Sequence, residues 1–324
     1  MLKSSFLDKP VFICGHRKTG TTLLVNLFDN NKECMTIPGD NGFFYLYYPY
    51  LINASIDKKK KALNECNNKI LKEIKSLNLD KKNKINLIGK YKLFIEYLKF
   101  IKKEDNFSTI LKIRAYYFAK AFQKLKSKIW VEKTSSTEIY ATQIKKKFKN
   151  AKFIHIIRDP RDNWASLKSG WKSKYNKYSK NLDHLMFSLI FRAINSFKFA
   201  ILNQKIIGKK SYLIIKYEDL IINPKKELKK IKNFLSLSRE IDLKTTILNF
   251  EWKSNNFIGK RRTKISKINI NKYLKLCTKN EIKILEFYFY DYLKKFRYKV
   301  NYNKKITDIA ASMFYKKINK TFFQ

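Results

Sequence analysis

The chain has 324 residues, 44% of them hydrophobic and 15% aromatic, which suits a packed core and excludes a wholly disordered chain. Its 71 Lys and Arg face 26 Asp and Glu, a formal net charge of +45, and 62 of those cations are Lys. Nucleic-acid readers draw on Arg for bidentate contacts, so a lysine flood accompanied by abundant Ile and Asn reads as compositional drift that attracts anions without naming one. No apolar run reaches the roughly 18 residues of a membrane-spanning helix, and the segment 1–12 is too poor in apolar residues for a secretory signal. A cytoplasmic location, with peripheral contact to anionic membrane, is the expectation. Cys14, Cys34, Cys66 and Cys277 lack CxxC spacing and read as reduced thiols. His16, His155 and His184 lie far apart, which argues against zinc, and there is no GxSxG elbow or fixed-period repeat.

In chain order, Pro10–Cys14 (PVFIC) is an apolar run that predicts a buried strand. The loop Gly15-His16-Arg17-Lys18-Thr19-Gly20 follows, and then a helical pattern at Leu23, Leu24, Leu27 and Phe28. Strand, glycine loop and helix make the first unit of a phosphate-binding α/β fold. From about 57 to 126 the chain is rich in Lys and Asn but still periodic. Leu63, Cys66, Ile70, Ile74 and Leu77 mark one helix, and Phe94, Tyr97, Leu98 and Ile101 a second. A third is marked by Ala115, Phe118, Ala119, Phe122 and Leu125. This stretch reads as a helical insertion or cap, its Lys runs as solvated helix faces.

Further strands are expected at Ile129–Glu132, Lys152–Ile157 and Tyr212–Lys216, each before a helix start: Ser135 with Glu138 as a capping box, then Asp159-Pro160, then Asn223-Pro224. Alternating strands and helices predict a parallel sheet covered by helices on both faces. Ile282, Leu285, Phe289, Tyr292 and Leu293 mark a late helix. The expected organisation is one α/β domain over 1–304, with 305–324 a weakly specified tail.

Gly15 to Thr22 reads GHRKTGTT, the glycine spacing of a P-loop with Thr21 where a nucleotide triphosphatase carries Lys. The lysine sits inside the loop, at Lys18. Loop amides at a helix N-terminus cradle phosphate, Arg17 adds charge, and Thr19, Thr21 and Thr22 add hydroxyl donors. The second site is Arg158, at the carboxyl end of an apolar strand where open α/β sheets bind ligands. Ser166 lies eight residues on, about two helical turns away. Both can reach one phosphate; the competing reading pairs Arg158 with Asp159 or Asp162.

Together the two segments resemble the sulfotransferase family that uses 3′-phosphoadenosine 5′-phosphosulfate, most closely its broad bacterial and Golgi-type branch. The resemblance implies that Lys18, Thr19, Gly20, Thr21 and Thr22 hold the 5′-phosphosulfate and Arg158 with Ser166 the 3′-phosphate. It extends to Val131-Glu132-Lys133-Thr134 and to Tyr217-Glu218-Asp219-Leu220, and touches Trp252–Phe257 and Gly259-Lys260-Arg261, which resemble a late cofactor-closing loop. Ser135 stands where the family usually has Pro. The implied reaction is in-line attack of an acceptor hydroxyl on sulfur, with Lys18 stabilising the bridging oxygen and no metal needed.

Candidate bases are Asp40, where related branches place a carboxylate, and Glu132. His16 lies among cations and His155 in a buried strand. Lys133 is a candidate contact for the transferring sulfonate. Phe43, Phe44, Tyr45, Tyr47, Tyr48 and Tyr50 follow Asp40 and either line an acceptor cleft or pack the cap. The acceptor is expected to be a hydroxyl-bearing saccharide, lipid or small molecule, without a specific nucleic acid; the oligomeric state is open. A P-loop kinase would want Lys at position 21 and Mg²⁺. A plain polyanion binder would have no need of Lys18.

Overall fold

The computed structural model describes residues 5–177, 179–252 and 265–322. Its centre is a five-stranded, all-parallel sheet in the order β2-β3-β1-β4-β5. The strands are β1 (Pro10–Cys14), β2 (Cys34–Ile37), β3 (Ile129–Lys133), β4 (Lys152–Ile157) and β5 (Tyr212–Lys216). β1 is buried along its whole length between β3 and β4, which is why it reads as an unbroken apolar run. A short antiparallel ribbon, β6 (Thr246–Ile247) with β7 (Phe250–Glu251), lies apart from this sheet.

Alternate residues of each strand serve opposite faces of the sheet. On one, Val11, Ile13, Ile154, Ile156 and Ile215 meet α1 (Thr21–Leu27), α9 (Tyr217–Ile222) and α10 (Pro224–Leu235). On the other, Trp130, Phe12, Phe153 and Tyr212 form an aromatic row across four strands, with centroid separations of 5.7, 5.8 and 5.5 Å. The cap packs against this row. It comprises α2 (Phe43–Leu46), α3 (Ile56–Ser76), α4 (Lys81–Ile95) and α5 (Phe107–Ala121), with α6 (Ala141–Lys147) beside it. A third cluster joins α7 (Pro160–Ser169), α8 (Leu182–Ile207), α12 (Lys279–Lys295) and α13 (Lys304–Phe322), with the one-turn α11 (Tyr273–Leu276) against α7. α8 is long and apolar enough to span a bilayer, yet it packs as a core helix against β5, α7 and α12.

Several expectations are corrected. Ser135 and Glu138 form no capping box: a 3-10 turn starts at Thr137 behind Ser136, and Ser135 bonds Asp40 instead. The second cap helix lies earlier, at Lys81–Ile95 with Asp80 as its cap, and Tyr97 and Leu98 belong to a 3-10 turn. Residues 304–322 form a helix whose Ala310, Ala311, Phe314 and Ile318 are buried, so the tail is packed structure. Lys59, in the run read as solvated, is buried and donates to the Lys103 carbonyl at 2.6 Å.

Candidate active site

The carboxyl ends of β1, β3, β4 and β5 open on one edge, and the loops leaving them converge there. In register, Ile13 of β1 faces Lys133 of β3 and Ile154 of β4. The loop after β1 turns at Gly15 (φ +138°) and Gly20 (φ +102°). A Cβ on Gly15 would sit 2.5 Å from the Ile156 carbonyl oxygen, and one on Gly20 would sit 2.5 Å from the Tyr217 ring. Between them Lys18 takes φ +68°, a left-handed conformation uncommon outside Gly and costing on the order of 1 kcal/mol.

Arg158 joins the two expected motifs. One terminal nitrogen donates to the Lys18 carbonyl at 2.9 Å and to Ser166 Oγ at 3.3 Å; the other donates to the Asn269 carbonyl. Its guanidinium lies 4.5 Å from the centroid of the Tyr217 ring, the same ring that packs on Gly20. Ser166 donates back to the Asp162 carbonyl at 2.9 Å. The competing ion-pair reading of Arg158 holds for Asp162 and not for Asp159. Asp159 caps α7 through the Arg161 amide and pairs with the Arg161 side chain at 2.6 Å. Asp162 accepts from the amides of Asn271 and Tyr273, at 2.8 and 3.0 Å, and stands 3.8 Å from Arg158. Arg158 Nε is buried and has no hydrogen-bond partner among the described residues.

The neighbouring loops bring more cations. Lys133 donates to Thr22 Oγ1 at 3.3 Å and pairs with Asp40 at 3.4 Å. Burial, with Lys174, Lys272, Arg158 and Lys133 nearby, lowers Lys18 from its ordinary 10.5 to about 7. Lys272 is lowered to about 8, by burial and then by Arg158. Burial among neighbouring cations thus lowers both lysines, and an anion placed between them would relieve that opposition.

Not every expected residue points to the centre. The Thr19 hydroxyl turns into its own loop, donating to the His16 carbonyl at 2.7 Å. Thr21 is buried as the first residue of α1, and Arg17 stands over the Tyr175 ring at 5.7 Å. Gly259, Lys260, Arg261 and 253–257 of the expected late loop lie outside the described residues; Trp252 is buried, its amide donating to the Thr245 carbonyl at 3.1 Å. Phe43, Phe44 and Tyr47 are core, whereas Tyr45 and Tyr50 are exposed.

The candidate bases separate cleanly. Glu132 is fully buried in an ion pair with Arg114 at 2.8 Å, joining β3 to α5 away from the cleft. His155 sits in the core between the Tyr212 hydroxyl (2.7 Å) and Ser196 Oγ (3.0 Å). Burial lowers both His155 and His16 to about 3; for His16, Arg17 and Arg192 add to it. Asp40 accepts from the Ser135 amide and hydroxyl at 2.9 and 2.5 Å. Burial pushes its carboxyl up, but Lys133 and these bonds outweigh it and hold the group below its ordinary range.

Glu73 was not singled out from the sequence. It projects from α3 against Gly39, where a Cβ would come within 2.8 Å of its Cγ. Its carboxyl is raised, first by burial and also by Asp40, against the opposing pull of Lys133 and Lys174. No local motif marks it: it stands three residues after Ile70 in a Lys-rich helix, and only the folding of the cap brings it to the cleft. The same holds for Lys174, Asn269 and Lys272.

Parallel strands, a glycine loop lacking the P-loop lysine at its end, and an Arg–Ser pair on the neighbouring strand and helix define a P-loop-like anion-transfer protein. Residues 10–240 match the Sulfotransferase family, and the chain belongs to that family. In overall structure it is similar to the sulfotransferase domain from the Synechococcus PCC 7002 olefin synthase, with a TM-score of 0.57 and 17% identity, covering 90% of this chain and 96% of that one. It is also similar to the sulfotransferase domain from the curacin biosynthetic pathway, with a TM-score of 0.55 and 14% identity, covering 90% and 99%. At these identities the likeness describes the fold. No curated protein matches the sequence.

Proposed function

We propose that this sulfotransferase takes its sulfonate group from 3′-phosphoadenosine 5′-phosphosulfate and passes it to a hydroxyl of a saccharide, lipid or other small acceptor. The observation that carries the donor assignment is Arg158. It holds Ser166 and the Lys18 carbonyl at once, and its buried Nε lacks a partner among the described residues. One guanidinium thus ties the Arg158–Ser166 pair to the glycine loop, which supports a single donor carrying phosphate at both ends of its nucleoside. When bound, the donor supplies an activated sulfonate and a stable bisphosphate leaving group. Loop amides and the α1 N-terminus hold its 5′ end; Arg158 and Ser166 hold its 3′-phosphate. Lys18 places its ammonium where charge develops on the leaving oxygen, and Lys133, steadied by Asp40 and Thr22, faces the sulfonate. Asp40, held ionised by Lys133 and Ser135, acts as a positioning residue in this reading. Glu73, with its raised carboxyl beside the same lysine, takes the acceptor's proton.

The test is thermal stabilisation in EDTA. Adenosine 3′,5′-bisphosphate should raise the melting temperature by mass action, and adenosine 5′-monophosphate much less. Arg158→Ala should weaken bisphosphate binding about tenfold or more, as expected for loss of a charge-assisted bond of roughly 1.5–3 kcal/mol. Equal stabilisation by both nucleotides would remove the 3′-phosphate site. Isotope-labelled donor offered to a panel of glycans and lipids, read by mass spectrometry, then identifies the acceptor.

A further inference from the structure

α13 has two faces. Thr307, Ala310, Ala311, Phe314 and Ile318 are buried, and the helix packs on α12 and α8. A surface salt bridge from Lys317 to Asp183, at 2.6 Å, joins it to the start of α8. With the inner face anchored, Ile306, Ile309 and Met313 stand outward, 41, 60 and 67% exposed. At 100° per residue these three fall within an arc of about 60°. Scattered exposed apolar residues need no explanation, but a second apolar stripe on a helix that has already buried its first one does. Lys304 and Lys305 stand before this stripe and Lys316 beside it, all exposed. An apolar stripe edged by lysines, on a chain of net charge +45, matches a surface that is anionic at its headgroups and apolar just beneath.

We propose that the outer face of α13 docks the protein on anionic lipid bilayers, with Ile306, Ile309 and Met313 entering the headgroup–acyl boundary and Lys305 and Lys316 meeting lipid phosphates. The inner face stays packed, so docking needs no unfolding of the helix. This proposal does not depend on the sulfonate donor or acceptor.

The experiment is flotation of the full chain with vesicles of phosphatidylglycerol and phosphatidylcholine in equal parts, and of phosphatidylcholine alone, at about 0.15 M salt. The protein should float with the mixed vesicles and not with the neutral ones. I306S/I309S/M313S should lower the bound fraction about fivefold or more at an unchanged melting temperature, since all three side chains face outward. K58Q/K61Q/K81Q removes three exposed lysines elsewhere and should change binding less than about twofold. A tryptophan at the stripe (I309W) should shift its emission to the blue on mixed vesicles only. The proposal is overturned if the serine variant binds like the parent, if the lysine variant loses as much, or if the parent fails to bind mixed vesicles. Self-association that the serine variant abolishes, without vesicle binding, would instead assign the stripe to a second copy of the chain.

Discussion

Lys18 carries the most information of any single side chain in this protein. In the free protein its pKa is about 7, because burial and four neighbouring cations oppose a further positive charge. A bound bisphosphate reverses that balance, since opposite charge favours the protonated form and raises the pKa. At pH 8 the free group is therefore mostly neutral and the liganded one mostly charged. Binding should take up close to one proton at pH 8 and much less at pH 6. Affinity should weaken as pH rises above 7, approaching tenfold per unit. Calorimetry in two buffers of different ionisation heat measures the uptake directly, and Lys18→Ala should remove most of it, leaving the smaller share taken up by Lys272. The two carboxyls across the cleft make a second contrast. Glu73 is raised by burial and Asp40 is held low, so Glu73 is the better proton acceptor of the two. With an identified acceptor, turnover should rise with pH through the Glu73 titration. Glu73→Gln should lower turnover on the order of 10²-fold, flatten that acid limb and leave bisphosphate binding intact. Asp40→Asn should slow the reaction while keeping the limb.

At the scale of elements, two buried ion-pair sets clamp the frame around the site. Arg114 and Glu132 tie α5 to β3, and Arg161 ties the start of α7 to Glu286 of α12 while pairing with Asp159. Removing one partner strands a buried charge, which costs about 3–5 kcal/mol. Glu132→Ala should lower the denaturation midpoint accordingly, whereas the folded fraction should bind bisphosphate normally, because Glu132 does not face the cleft. β1, β4 and β5 were legible in the sequence because each is an apolar run that ends at a helix-start or glycine signal. β2 was not: Cys34–Ile37 is four residues long, follows a polar stretch and owes its strand geometry to pairing with β3. α13 escaped notice because its two apolar stripes blur the single period that marks a surface helix. The glycine loop and the Arg158–Ser166 offset were readable because contiguous sequence encodes them. Glu73, Lys174 and Lys272 were not, because only tertiary packing brings Lys174 and Lys272 to Lys18 and Glu73 to Lys133 and Lys174 from distant parts of the chain.

At the scale of the whole molecule, the +45 charge raises the question of whether anion binding needs a site at all. Screening decides it: at about 0.15 M ionic strength the Debye length is about 8 Å, so an exposed lysine beyond that distance adds little to the potential at the loop. Lys58 and Lys61 stand exposed on the cap, whereas Lys174 and Lys272 lie close enough to shift Lys18 itself. K58Q/K61Q should therefore leave bisphosphate affinity within about twofold at 0.15 M salt and lower it visibly only at low salt. Removing the near cations acts on two quantities in opposite directions. K174Q/K272Q should raise the Lys18 pKa, because two like charges no longer oppose its proton, and should weaken binding, because two charges no longer attract the ligand. The expected signature is a proton uptake at pH 8 that shrinks along with the affinity. If K58Q/K61Q weakened binding as much as K174Q/K272Q at 0.15 M salt, the bulk field would be the agent. The converging loops at the carboxyl ends of the strands would then be a fold without a dedicated anion site.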